Sequence, residues 1–126
     1  MRKIFILGAL CAFLAGCASG GVDPSQLDAA AHKRDLAVAE CQRQVDAGQL
    51  KTALDGLNCG LDAARTMSND LNLTRPDIFD AYAAKARAAA ADADAGRITA
   101  PQMRDRIAKA QKEADAQMAL AMKSGR

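Results

Sequence analysis

Four cysteines, one histidine and a few close carboxylate pairs are the residues of this 126-residue chain with chemistry to offer. Thiols at Cys11, Cys17, Cys41 and Cys59 can be acylated, oxidised to a disulfide or bound to a metal. They stand 6, 24 and 18 residues apart, so no Cys-x-x-Cys pair exists and no haem attachment motif follows. His32 lies between Ala31 and Lys33-Arg34 with no second histidine to share a metal, and reads as a solvated helix residue. Asp77 with Asp80, and Asp92 with Asp94, are spaced as ordinary helix-surface carboxylates. A glycosidase needs two carboxylates set in a substrate cleft, and this chain is 3% aromatic without a tryptophan to line one. No glycine-rich phosphate loop or nucleophile elbow appears. A non-catalytic protein with no cofactor, metal or small-molecule substrate is the expectation.

One thiol stands in a telling context. Met1-Arg2-Lys3 is basic, Ile4 to Ala15 is apolar, and Leu14-Ala15-Gly16-Cys17 closes the run. A cationic start, a short apolar stretch and small residues describe a secretory signal. The run is too short for a hydrocarbon core of about 30 Å, which takes roughly 20 residues to cross. Leu14-Ala15-Gly16-Cys17 resembles the lipobox of bacterial lipoprotein precursors. That resemblance implies a cut between Gly16 and Cys17 and a covalent diacylglycerol, usually with an N-acyl chain, on Cys17. Two or three acyl chains, at about 0.8 kcal/mol per buried CH₂, anchor a protein stably. It also implies that Ala18, where an aspartate would favour inner-membrane retention, sends the protein to the outer membrane, facing the periplasm.

Removing residues 1–16 changes the balance of the rest. Cys17 to Arg126 carries 15 Lys+Arg against 15 Asp+Glu and keeps only Phe79 and Tyr82 as aromatics. These 110 residues suffice for one small domain. Residues 17–24, with Ser19-Gly20-Gly21 and Pro24, read as a lipidated tether, and residues 25–126 as the folded part.

Helical periodicity runs through that part, and β-branched residues never alternate usefully. A first helix is expected from Ser25 to Ala47, with Ser25 as cap and Leu27, Ala31, Val38, Cys41 and Val45 on one face. Gly48 ends it. A second, from Gln49 to Asp70, carries the stripe Leu50, Leu54, Leu57, Leu61, Ala64, Leu71; Gly56 and Gly60 either weaken it or permit a close crossing. A third opens at Thr74-Arg75-Pro76-Asp77 with Thr74 as cap, presents Ile78, Phe79, Tyr82, Ala86, Ala89 and Ala93, and stops at Gly96. Ten of the fifteen residues Ala81–Ala95 are alanine. The fourth starts at Thr99-Ala100-Pro101-Gln102 and shows Met103, Ile107, Ala110, Ala114, Met118 and Met122. Long helices with short turns predict an all-α antiparallel bundle of about four helices, as two hairpins.

Cys41 and Cys59 flank the first hairpin turn, and an oxidising compartment makes a bridge between them the natural reading. Closing such a loop is worth about 3 kcal/mol in the chain-entropy model. On a continuous helix, however, Cys59 falls about 180° from Leu50. Either Gly56 and Gly60 reorient this stretch, or the hairpin buries a different face, or the bond is intermolecular. Gly48-Gln49-Leu50-Lys51-Thr52-Ala53-Leu54 resembles the second-helix opening of a tetratricopeptide repeat. A 34-residue shift lands on Tyr82 to Ala88, which lacks the glycine, so a plain hairpin is expected.

Charge is uneven: Asp23 to Gly96 is net −4 (8 basic, 12 acidic) and Arg97 to Arg126 is net +4 (7 basic, 3 acidic). The plain outcome is pairing between the two. The sharper one is that Arg104, Lys109, Lys112 and Lys123 face anionic lipid, lipopolysaccharide or an acidic protein; nucleic acid is not expected for an exported chain. Lys123-Ser124-Gly125-Arg126 resembles the tail of outer-membrane lipoproteins linked to peptidoglycan, except that its lysine is not terminal. The expected function is a lipid-anchored structural or protein-interaction module with an envelope protein as partner. The alternative is a small periplasmic binding or inhibitory module, for example against a wall-degrading enzyme.

Overall fold

The computed structural model describes residues 23–72 and 75–124. Four helices account for most of them: α1 (Pro24–Asp46), α2 (Ala53–Asp70), α3 (Pro76–Asp94) and α4 (Ala100–Ser124). No strand occurs among the described residues, so the all-α expectation holds.

Where each helix begins follows from capping. Pro24 occupies the first turn of α1, where its missing N–H costs nothing, and this moves the cap back from Ser25 to Asp23. The Asp23 carboxylate accepts from the Ser25 backbone N–H at 2.8 Å and from its hydroxyl at 2.7 Å. α2 starts at Ala53 rather than Gln49. Thr52 is extended (φ −110°, ψ 160°) and its hydroxyl accepts from the Asp55 N–H at 3.0 Å. Leu50 therefore belongs to the turn and not to the helical stripe. The Thr74 cap lies outside the described residues. Arg75 holds the cap position of α3 without a side-chain cap bond, its guanidinium spanning Asp77 through two 2.9 Å bonds. Thr99 and Gln102 form a reciprocal capping box at α4, with N–H···O distances of 3.2 and 2.8 Å.

Both hairpin turns are the same object. Ala47 and Ala95 share φ −79° and ψ −3°; Gly48 and Gly96 follow at φ +74° and +76°. The next N–H, from Gln49 or Arg97, returns to Gln44 or Asp92 C=O at 2.9 Å. This is the Schellman closure, and its left-handed residue favours glycine.

Packing follows chain order, α1 on α2, α2 on α3, α3 on α4. Lys33 with Asp70, Arg65 with Asp80, and Arg106 with Asp92 show that each neighbour runs antiparallel. The main core joins Leu57 and Leu61 of α2 to Ile78, Phe79, Tyr82, Ala83, Ala86, Ala89 and Ala90 of α3 and to Met103, Ile107, Ala110 and Ala114 of α4. A smaller core sits under α1: Ala30, Met67 and Leu71, with Leu27 and Ala31 against it. The expected stripe of α1 is thinner than its spacing suggested, with Cys41 buried and Leu27, Ala31, Val38 and Val45 only half-buried. Met122 also leaves its stripe and is 41% exposed, because α3 has reached its N-terminal turn at that level. A methyl added at Gly56 would meet Val45 Cγ2 at 3.6 Å, ordinary contact, so the α1–α2 crossing does not require glycine there.

Candidate functional site

Gly16, Cys17 and the whole of Leu14-Ala15-Gly16-Cys17 lie outside the described residues, as do residues 1–22 generally. The chemistry that can be located begins with Cys41 and Cys59. They form an intramolecular disulfide joining α1 to α2, with a Cα–Cα separation of 5.8 Å. The difficulty of the opposite face disappears once α2 is seen to be buried on two sides. Leu57 and Leu61 point to α3 and α4, while Ala63 and Met67, about two thirds of a turn around, lie on the Cys59 side, Met67 packing with Ala30 of α1. The hairpin buries a second face. Glycine-induced reorientation is not needed.

Beside the disulfide an open groove of about 280 Å³ runs between α1 and α2. Ala30, Ala37, Ala63 and Met67 give it an apolar floor, and Glu40 and Asp62 stand at its rim. Lys33 and Asp70 close it with an ion pair at 3.0 Å. The Arg43 guanidinium, bonded twice to Glu40 at 2.8 and 2.6 Å, and then the Gln44 amide pull the Glu40 carboxyl down to about 2. Glu40 therefore stays ionised across ordinary pH. An apolar floor with charged side chains at its edges suits a side chain or short apolar segment.

The carboxylate pairs noticed in the sequence have other employment. Asp92 accepts from Arg97 at 2.8 Å and from Arg106 at 2.9 Å, and these guanidinium bonds hold its carboxyl below the usual range. Asp94 accepts from the Ala53 and Leu54 N–H groups at 2.8 and 3.0 Å. It caps α2 from the last residue of α3. Asp77 bonds Arg75, and Asp80 bonds Arg65, whose guanidinium also lies 5.0 Å from the Phe79 ring centroid. His32 is exposed on α1. Among the described residues no group of three or more His, Cys, Asp or Glu side chains converges on a metal position, and no described helix is long and apolar enough to cross a membrane.

The candidate anionic-partner residues are all exposed on α4. At about 100° per residue, Lys109, Lys112 and Lys123 share the side opposite Met103, Ile107, Ala110 and Ala114. Arg104 projects about a quarter-turn away, and Asp105 falls within the lysine arc. Two features escaped the sequence reading, the Asp94 cap and the groove. Each joins residues more than 25 positions apart or two helix faces whose rotation only packing fixes.

Compared with known families, with curated proteins and with solved structures, the chain finds no match.

Proposed function

We propose that the chain is a non-catalytic helical module, anchored through lipid on Cys17 to the periplasmic face of a bacterial outer membrane, where it binds an envelope protein. The observation that carries the reading is a pairing of features: Leu14-Ala15-Gly16-Cys17 near the start and a Cys41–Cys59 disulfide in the fold. Disulfides persist in oxidising, extracytoplasmic compartments, so the second feature agrees with the export that the first implies. Thiol chemistry then divides by position: Cys11 leaves with the signal, Cys17 is the anchor, and the remaining pair staples α1 to α2. The covalent lipid is the only non-protein group in this reading.

The test is the mature form made in a Gram-negative host. Its N-terminal residue should be Cys17, its intact mass should exceed that of Cys17–Arg126 by two or three acyl chains, and Cys17→Ser should abolish both palmitate incorporation and membrane fractionation. Cleavage at another bond, or an unacylated mature mass, sinks the anchor.

The groove beside the disulfide favours a second reading, a small binding or inhibitory module. Stoichiometric inhibition of a muramidase that is lost on reduction would select it. Cross-linking in intact cells to an envelope protein, through residues of either hairpin, without such inhibition would select the interaction module.

A further inference from the structure

Cations are satisfied unevenly over this bundle. Eight of the described lysines and arginines sit in ion pairs, and Arg87 donates to Asn58. Outside α4 only Lys51 is left without such a partner among the described residues. On α4, Arg104, Lys112 and Lys123 make no ion pair among the described residues, and Lys109 contributes only a lesser charge effect at Glu113, whose main partner is Lys85. The surplus is therefore concentrated on one helix. Exposed apolar bulk is concentrated there too. Of the large exposed hydrophobics Leu36, Leu120 and Met122, two lie in the last turns of α4; Leu120, 66% exposed, is on the lysine side, and Met122 projects about a quarter-turn from that side. Leu120 stands beside the Lys109–Lys112–Lys123 arc, with Ala116 and Ala119 giving a low surface between them.

Topology places this face at a particular end. Four antiparallel helices put the start of α1 and the finish of α4 at the same end of the bundle, away from Gly48 and Gly96. Asp23 is six residues from Cys17, a reach of at most about 22 Å. A lipid on Cys17 thus keeps the end of the bundle at which α4 finishes within reach of the bilayer surface.

We propose that the outer face of α4 from Lys109 onward, carrying Lys109, Lys112, Leu120 and Lys123, is a second membrane contact that rests on the anionic bilayer holding the chain's own anchor. The proposal rests on the lipidation of Cys17. Leucine enters the headgroup boundary while lysine stems lie along it and keep their ammonium groups at the phosphates. A protein partner fits less well, since lysine is depleted at protein interfaces and the face has no Trp, Tyr or Arg to act as an anchor. The contact would fix the bundle on the membrane with the α1–α2 groove turned elsewhere, since α1 and α4 occupy opposite ends of the packing order.

The chain has no tryptophan, so single reporters are readily placed. The full-length lipidated protein carrying Leu120→Trp, and separately Leu36→Trp, is reconstituted into brominated phosphatidylcholine vesicles with and without phosphatidylglycerol. Flotation reads the anchor independently of the contact. With the anionic lipid, bromine should quench the Leu120→Trp protein several-fold more than the Leu36→Trp protein, which is equally exposed on α1. Raised salt, or Lys109→Glu with Lys112→Glu and Lys123→Glu, should remove the difference. Amine acylation of the unsubstituted protein gives a second measurement: Lys112 and Lys123 should react several-fold more slowly on anionic vesicles, and Lys51 at an unchanged rate. Floated protein with equal quenching and unchanged lysine rates overturns the contact and leaves the anchor standing. Protein that fails to float overturns both. Cross-links from position 120 to an envelope protein instead of lipid overturn it in favour of a protein partner.

Discussion

At Ala47-Gly48 and at Ala95-Gly96 the backbone follows one path, to within a few degrees, yet the hairpins on either side are held differently. α3 and α4 meet through alanine: Ala83, Ala86 and Ala90 are fully buried against the Met103–Ile107–Ala110–Ala114 edge, and no covalent tie joins the two helices. α1 rests on α2 over a core of three buried residues, and a disulfide crosses the pair. A good turn sets direction for both. What holds the arms together depends on how much apolar surface each arm can hide, and where α1 hides little, a covalent link takes over.

The sharpest way to break this contrast is to remove the link. Cys41→Ser with Cys59→Ser should lower stability by about 3 kcal/mol. Hydrogen exchange should show α1 losing protection first while α3 and α4 keep theirs; uniform loss across all four helices would mean that the hairpins do not differ in this way. Alkaline pH probes the other side. Burial, and then the charge of Asp115, push the Tyr82 hydroxyl up to about 12, against about 10 in the unfolded chain. Between these values the unfolded state binds fewer protons than the folded one, so stability is complete below pH 10 and falls as pH rises toward 12. The loss approaches about 2.7 kcal/mol for a two-unit difference, and Tyr82→Phe should flatten that slope in denaturant titrations.

Overpacking comes next. Ala86→Leu forces a larger side chain into the α3–α4 contact and should cost about 2 kcal/mol, whereas the same change at exposed Ala84 should be nearly neutral in thermal melts. Asp94→Ala removes the two bonds to the start of α2 and should cost about 1–2 kcal/mol. Since that carboxylate ties the hairpins together, broader unfolding transitions should accompany the loss. The smallest effect is of opposite sign. Gly56→Ala keeps ordinary contact with Val45 and should stabilise the α1–α2 hairpin by about 0.5–1 kcal/mol.

The same contrast explains what could be read beforehand. The stripes of α3 and α4 are legible because each helix buries a single face, and Ile78, Phe79, Tyr82, Met103 and Ile107 recur at helical spacing. Gly48 and Gly96 were legible because a left-handed helix exit favours glycine. α2 shows one leucine stripe, through Leu57 and Leu61, but is buried on two faces; the stripe alone sets Cys59 opposite the core, which is why the spacing leaves the face of the bridge open. Leu50 extended that stripe into a turn because Thr52, a better cap than anything before it, lies two residues further on. Asp94 resembled surface patterning because its partners, Ala53 and Leu54, offer backbone groups that no side-chain pattern encodes.

The two matched glycine turns share one end of the molecule, and both described termini share the other. α3, with 19 residues, sets the distance between those ends at about 28 Å. A reporter domain, affinity tag or surface tether joined after Ser124 therefore stands a full helix length from Gly48 and Gly96. The turn end stays accessible to a probe or a crystallisation chaperone whichever terminus carries the fusion.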